Sequence, residues 1–136
     1  MKLLFVDTAG WVACADASDP AHRDAVATRD TWIEGGGLFV TSDYVADETL
    51  TLLRMRLGID AAEKWWQQVD GSSRVRWEYV SPTRADKARG LFFGYRDKAF
   101  SFTDCTSFVL MRELKLREAL TTDRHFLQAG FGIKPG

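Results

Sequence analysis

Leu3-Leu4-Phe5-Val6-Asp7-Thr8, close to the start of the chain, decides how the rest is read. Four apolar residues make a short buried strand, and the carboxylate and hydroxyl that follow mark a turn into a helix near Gly10. The same arrangement recurs late in the chain, where Ala119-Leu120-Thr121-Thr122 runs into Asp123. Strand-like and helix-like segments alternate between these two points. A helix over 21–34 follows Pro20, with Asp19 or Ser18 as its cap, and Gly35-Gly36-Gly37 stops it. Leu38 to Val40 reads as a second strand. Ser42-Asp43 caps a helix running to Leu57, which Gly58 closes. Asp60 to Val69 is a further helix whose Trp65 and Trp66 point about 100° apart, so both cannot face one core. Val75, Trp77 and Tyr79 alternate with Arg74, Arg76 and Glu78, the period of a half-exposed edge strand. Pro82 starts a helix to Tyr95, and a loop crosses Arg96 to Phe100. Thr103 caps an apolar helix ending near Lys115; a brief helix starts at Arg124, and Phe131 to Ile133 forms an edge strand. The pattern predicts an α/β fold, a three-layer α/β/α sandwich with a mainly parallel sheet, in one domain spanning residues 1–136.

With 136 residues, 46% of them hydrophobic, the chain buries a sufficient core without staples. Cys14 and Cys105 lack CxxC spacing and are expected to be free, buried thiols. The apolar run Leu3 to Val6 is far short of the roughly 18 residues that a membrane span needs, and no signal-peptide pattern follows Lys2, which places the chain in the cytoplasm with no membrane partner. Net charge is −1, but residues 1–48 carry nine acids against three bases and the remainder ten against fifteen. An acidic cluster beside a basic surface is compatible with this, as are ordinary solvated faces.

Four acids stand out by position. In an open parallel sheet, sites form at the carboxyl ends of strands, where Asp7 and Asp123 fall. Glu48 shares a helical stripe with Val45, Leu52 and Met55, and Asp104 shares one with Phe108 and Met111. An ionised acid on an apolar stripe needs a partner, a proton or a cation. Converging carboxylates repel one another unless a hard cation neutralises them, and an all-oxygen donor set selects Mg2+ or Mn2+. Each acid also has an ordinary explanation: Asp7 an Asx-turn, Asp104 a first-turn acid, Asp123 a cap, and Glu48 a pair with Arg112 or Lys115. Four acids at corresponding element ends of so short a chain favour the site reading. Thr8, Thr103, Ser107 and Asp97 are candidates to support it from behind or at its edge. His22 and His125 have no serine or cysteine placed for a triad and read as surface or structural residues. The triple glycine lacks the Gly-Lys-Thr or Gly-Lys-Ser of a phosphate loop.

Phe5-Val6-Asp7-Thr8, Asp47-Glu48-Thr49-Leu50, the segment from Ser101 to Phe108 and Leu120-Thr121-Thr122-Asp123-Arg124-His125-Phe126 together resemble PIN-domain proteins, in order and along the whole chain. Within that superfamily, Ser-Phe-Thr-Asp-Cys and Thr-Asp-Arg-His-Phe are similar to the VapC toxins of prokaryotic toxin-antitoxin pairs. The resemblance implies that Asp7, Glu48, Asp104 and Asp123 hold one or two Mg2+ or Mn2+ ions and are the catalytic residues of an endoribonuclease hydrolysing RNA phosphodiesters. It also implies a homodimer inhibited by a cognate antitoxin protein. Arg54 and Arg56, with Arg112 and Lys115, are candidate contacts to RNA phosphates. Other readings are a PIN nuclease of RNA processing or decay that is not a toxin, a non-catalytic interaction module using Trp65 and Trp66, and a magnesium-dependent phosphatase. The last is disfavoured because Asp7 is not followed two residues on by a second aspartate.

Overall fold

In a computed structural model, which describes residues 2–136, the opening apolar run is strand β1 (Leu3–Val6), buried along most of its length. It feeds α1 (Thr8–Ala15) and α2 (His22–Glu34), then β2 (Leu38–Ser42), α3 (Asp43–Leu57) and α4 (Ile59–Val69). β3 (Val75–Glu78), α5 (Pro82–Gly94), α6 (Phe102–Glu113), β4 (Glu118–Leu120), α7 (His125–Gln128) and β5 (Gly132–Lys134) complete the chain. The five strands form one sheet in the order β3-β2-β1-β4-β5. Every neighbouring pair is parallel, which goes beyond the mainly parallel sheet expected. The chain steps one way from β1 to β2 to β3, then crosses back to β4 and β5. Right-handed crossovers therefore set α1 to α4 against one face and α5 to α7 against the other, a three-layer α/β/α sandwich. β1 lies between β2 and β4, with Phe5 level with Ala119 and Val6 with Leu120. The order of connection reverses there, so the crevice above these strand ends is the switch point at which such sheets bind ligands.

The sequence explains most boundaries. Ser42 Oγ accepts from Val45 N at 3.1 Å, and Gly58 ends α3 at φ 97°, a region open to glycine. α2 differs from the expectation. It starts at His22 behind Ala21, without a side-chain cap, because Asp19 spends its carboxylate on Ala21 N one turn earlier. The cap of α6 is Ser101, not Thr103. Ser101 Oγ accepts from Asp104 N at 2.9 Å, while Asp104 Oδ2 accepts from Ser101 N at 3.1 Å. This reciprocal pair satisfies two donors that the helix start leaves open. β2 runs two residues longer than expected and β4 ends at Leu120, so Asp123 sits beyond its strand on a short loop.

Both faces of the sheet are filled by apolar side chains. Phe5, Leu53, Phe108, Leu110, Met111 and Phe126 are fully buried, each stabilising the fold by about 1.5–3 kcal/mol relative to exposure. Phe108 packs edge-on against Phe100 at 5.0 Å and against Phe126 at 5.1 Å, tying α6 to α7. The adjacent tryptophans divide as their 100° separation requires: Trp65 is 4% exposed in the core, Trp66 37% exposed against Trp77. The expected stripe on α3 is only partly buried. Met55 is 76% exposed, and the buried side of the helix carries Val45, Ala46, Thr49 and Leu53 instead. Cys14 and Cys105 are free thiols; Cys105 is buried, whereas Cys14 is only half-buried. Burial pushes both up to about 11. Among the described residues, no helix is long and apolar enough to cross a membrane.

Candidate active site

Asp7 closes β1 and serves first as the cap of α1, its Oδ1 accepting from Gly10 N at 2.8 Å. Its Oδ2 accepts from Thr121 Oγ1 at 2.8 Å, and the same hydroxyl accepts from Asp123 N at 2.9 Å. Thr121 therefore fixes the end of β1 to the loop after β4. Gly10 permits the approach: a Cβ there would lie 2.0 Å from the Leu120 carbonyl oxygen, so α1 can start against β4 only without a side chain. Asp7 is 5% exposed. Burial, reinforced by the charges of Asp123 and Asp104, pushes its carboxyl up to about 8 against the two hydrogen bonds that hold it down.

Above Asp7 opens a cleft of about 180 Å³ whose wall includes Asp7, Glu48, Asp104 and Asp123. Glu48 reaches it from α3, Asp104 from the first turn of α6, and Asp123 from the loop after β4. Burial raises the Asp104 carboxyl too, against the hydrogen bond from Ser101 N. Thr8, Thr103 and Ser107 also line the cleft. Thr8 Oγ1 donates to Val45 O at 3.5 Å. Ser107 Oγ, on a residue only 1% exposed, has no hydrogen-bond partner among the described residues. Asp97 is not in the cleft; it stands on the surface beside Lys98.

Of the four cationic candidates, Arg56 alone lines the cleft, paired with Asp19 at 3.6 Å and Asp16 at 3.9 Å. Arg54 flanks a shallow groove between α3 and α4. Arg112 lies over the Phe131 ring at 6.0 Å, and Lys115 sits in the turn beyond α6 at φ 57°. Neither Arg112 nor Lys115 pairs with Glu48. Among the described residues no lysine or arginine bridges any of the four clustered acids.

Two participants were not read from the sequence. Thr121 has no motif beyond a hydroxyl at a strand end. His125, expected to be surface or structural, turns its Nδ1 into the cluster, 3.1 Å from Asp104 Oδ2 and 3.2 Å from Asp123 Oδ1. The Asx-turn in which His125 N donates to Asp123 Oδ1 at 2.9 Å aims it there. The signal was present in the spacing, since a residue two beyond a turn aspartate comes back beside its carboxylate. Asp104, Asp123 and His125 place donor atoms within 4.8 Å of one another.

Converging carboxylates with no lysine or arginine bridging them among the described residues, a buried acid raised by desolvation and an orphaned buried hydroxyl in the wall suit a hard divalent cation. Comparison with known proteins gives the family. The family model described as PIN domain matches residues 4–132. The 23S rRNA-specific endonuclease VapC20 of Mycobacterium tuberculosis is 33% identical, with 95% of each chain covered. A VapC ribonuclease of Archaeoglobus fulgidus is 34% identical over 82% of this chain and 72% of its own. The crystal structure of VapC20, there described as a sarcin-ricin loop cleaving toxin, superposes with a TM-score of 0.84 at 32% identity, covering 94% of this chain and 95% of that one. The likeness to VapC20 spans nearly the whole chain in both sequence and fold, the family model covers residues 4–132, and the chain belongs to the PIN-domain family.

Proposed function

We propose that this protein is a divalent-metal-dependent endoribonuclease, a single PIN domain over residues 1–136 and the toxin of a toxin-antitoxin pair. The observation that carries the reading is the convergence of Asp7, Glu48, Asp104 and Asp123 on one cleft without a lysine or arginine to neutralise them. These four residues are assigned to holding Mg2+ or Mn2+. When bound, such a cation lowers the pKa of a water molecule and offsets the charge that builds on phosphoryl oxygens. The chain's own groups set the geometry. Thr121 and Gly10 N hold the Asp7 carboxylate at the bottom of the cleft. The Ser101 cap fixes the Asp104 rotamer, and Thr8, Thr103 and Ser107 supply hydroxyls along the wall. Arg56, at the rim, is the phosphate contact nearest the acids. No covalent enzyme intermediate is required.

Likeness to VapC20 along nearly its whole length supports large-subunit ribosomal RNA as the substrate. The same kinship supports inhibition by a cognate antitoxin and action in the cytoplasm. A homodimer belongs to the same proposal, and exposed apolar side chains such as Met55 and Ile59 are available to its interface. The test is incubation of purified protein, freed of any copurifying partner, with bacterial ribosomes and with unrelated structured RNA, followed by mapping of new 5′ ends. A single cut in the large-subunit RNA, absent with Asp104→Asn, is the expected result. Cleavage confined to other RNAs would move the protein to RNA processing or decay.

A further inference from the structure

We propose that His125 Nδ1 is itself a ligand to the divalent cation shared by Asp104 and Asp123, giving the cleft a mixed nitrogen and oxygen donor set that favours Mn2+ over Mg2+. The inference rests on the metal-dependent reading above and adds to it a nitrogen that four acids do not supply.

The argument begins with spacing. Two donors on adjacent corners of an octahedron with bonds of about 2.1 Å lie about 3.0 Å apart. His125 Nδ1 stands 3.1 Å from Asp104 Oδ2 and 3.2 Å from Asp123 Oδ1, so the nitrogen already holds a neighbouring ligand's separation from each carboxylate, and all three donors lie within 4.8 Å of one another. The ring is aimed rather than loose. His125 N is tied to Asp123 Oδ1, and the imidazole packs edge-on against Phe100 at 5.5 Å, a residue buried against Phe108. Ser107 Oγ, buried and unpartnered in the same wall, independently indicates that the cleft's polar inventory is completed by something besides protein.

Ligation requires the Nδ1 lone pair, so the ring proton then resides on Nε2. Replacing one oxygen by imidazole matters little for Mn2+, which accepts nitrogen, and disfavours Mg2+, which keeps to oxygen. The competing account is that His125 donates its Nδ1 proton to the two carboxylates and stands where a cation would bind. The two accounts predict opposite responses to removal of the ring.

The experiment uses the metals alone. Pulsed electron paramagnetic resonance on the Mn2+-loaded protein reads nitrogen coupling directly, and calorimetry gives Mn2+ and Mg2+ affinities for wild type and His125→Ala. A 14N coupling that changes to the 15N pattern on histidine labelling is expected in the wild type and absent from H125A. The variant is expected to bind Mn2+ about tenfold or more weakly, at least the loss that removing an outer-shell partner of a ligand brings, with a smaller effect on Mg2+. Wild-type Mn2+ without histidine nitrogen coupling, or H125A binding Mn2+ as tightly as or more tightly than wild type, would overturn the proposal. Because the labelled wild type gives its own answer, a poorly folding variant does not remove the test. Binding of both ions through oxygen alone sinks only the role of His125; binding of neither ion sinks the metal-dependent function as well.

Discussion

Asp7 caps a helix, which favours the carboxylate, while sitting where desolvation and two neighbouring acids favour the proton. Its carboxyl stands at about 8 against an ordinary 3.8, so above pH 4 the unfolded chain releases a proton that the metal-free folded chain retains. The folded state then binds more protons than the unfolded one, and stability must fall as pH rises from about 4 to about 8, by up to about 1.4 kcal/mol per pH unit. Denaturant melts in EDTA should show that decline, and Asp7→Asn should remove it. Thr121→Val leaves Asp7 Oδ2 and Asp123 N unpaired and should cost about 1–3 kcal/mol, read in the same melts. Sequence reasoning found the four acids because their types are rare on apolar stripes or mark strand ends. It missed Thr121 and His125 because a threonine in a strand and a histidine in a turn have many commoner reasons to be there.

α1 can approach β4 only through Gly10, where an added Cβ meets backbone and not a yielding side chain. Gly10→Ala should therefore destabilise by about 1–3 kcal/mol or more, as overpacking does, and should displace Asp7 with the helix. Thermal melting with divalent-ion titration checks both effects; retention of wild-type stability would show that α1 moves freely. Element types and order were legible because strand and helix periods are interrupted by glycine, proline and capping residues at nearly every junction. What was not legible was the choice among neighbouring hydroxyls. Ser101 and Thr103 are both acceptable caps, serine somewhat the better, and Ser101 is selected because Asp104 then returns the hydrogen bond. Met55 misled because helical spacing says which residues share a stripe and not where the packed surface ends.

Across the whole molecule, the sheet order β3-β2-β1-β4-β5 turns residues remote in sequence into one acidic cleft, and no single segment contains a site. Fold class was readable from alternation alone, whereas convergence of the acids depends on the crossover from β3 to β4, which periodicity does not report. A ligand held only by the folded chain stabilises it by about 2.7 kcal/mol at a hundred times its dissociation constant, so Mn2+ should raise the melting temperature of wild type and not of Asp104→Asn. The central claim, that four acids from four elements form a metal-dependent nuclease, is tested most directly by cleavage of RNA by purified protein with Mn2+, Mg2+ or EDTA, run beside Asp104→Asn and Glu48→Gln. The account predicts cleavage with either ion, none in EDTA, and none from either folded variant. Cleavage that persists in EDTA, or in both variants, would contradict it.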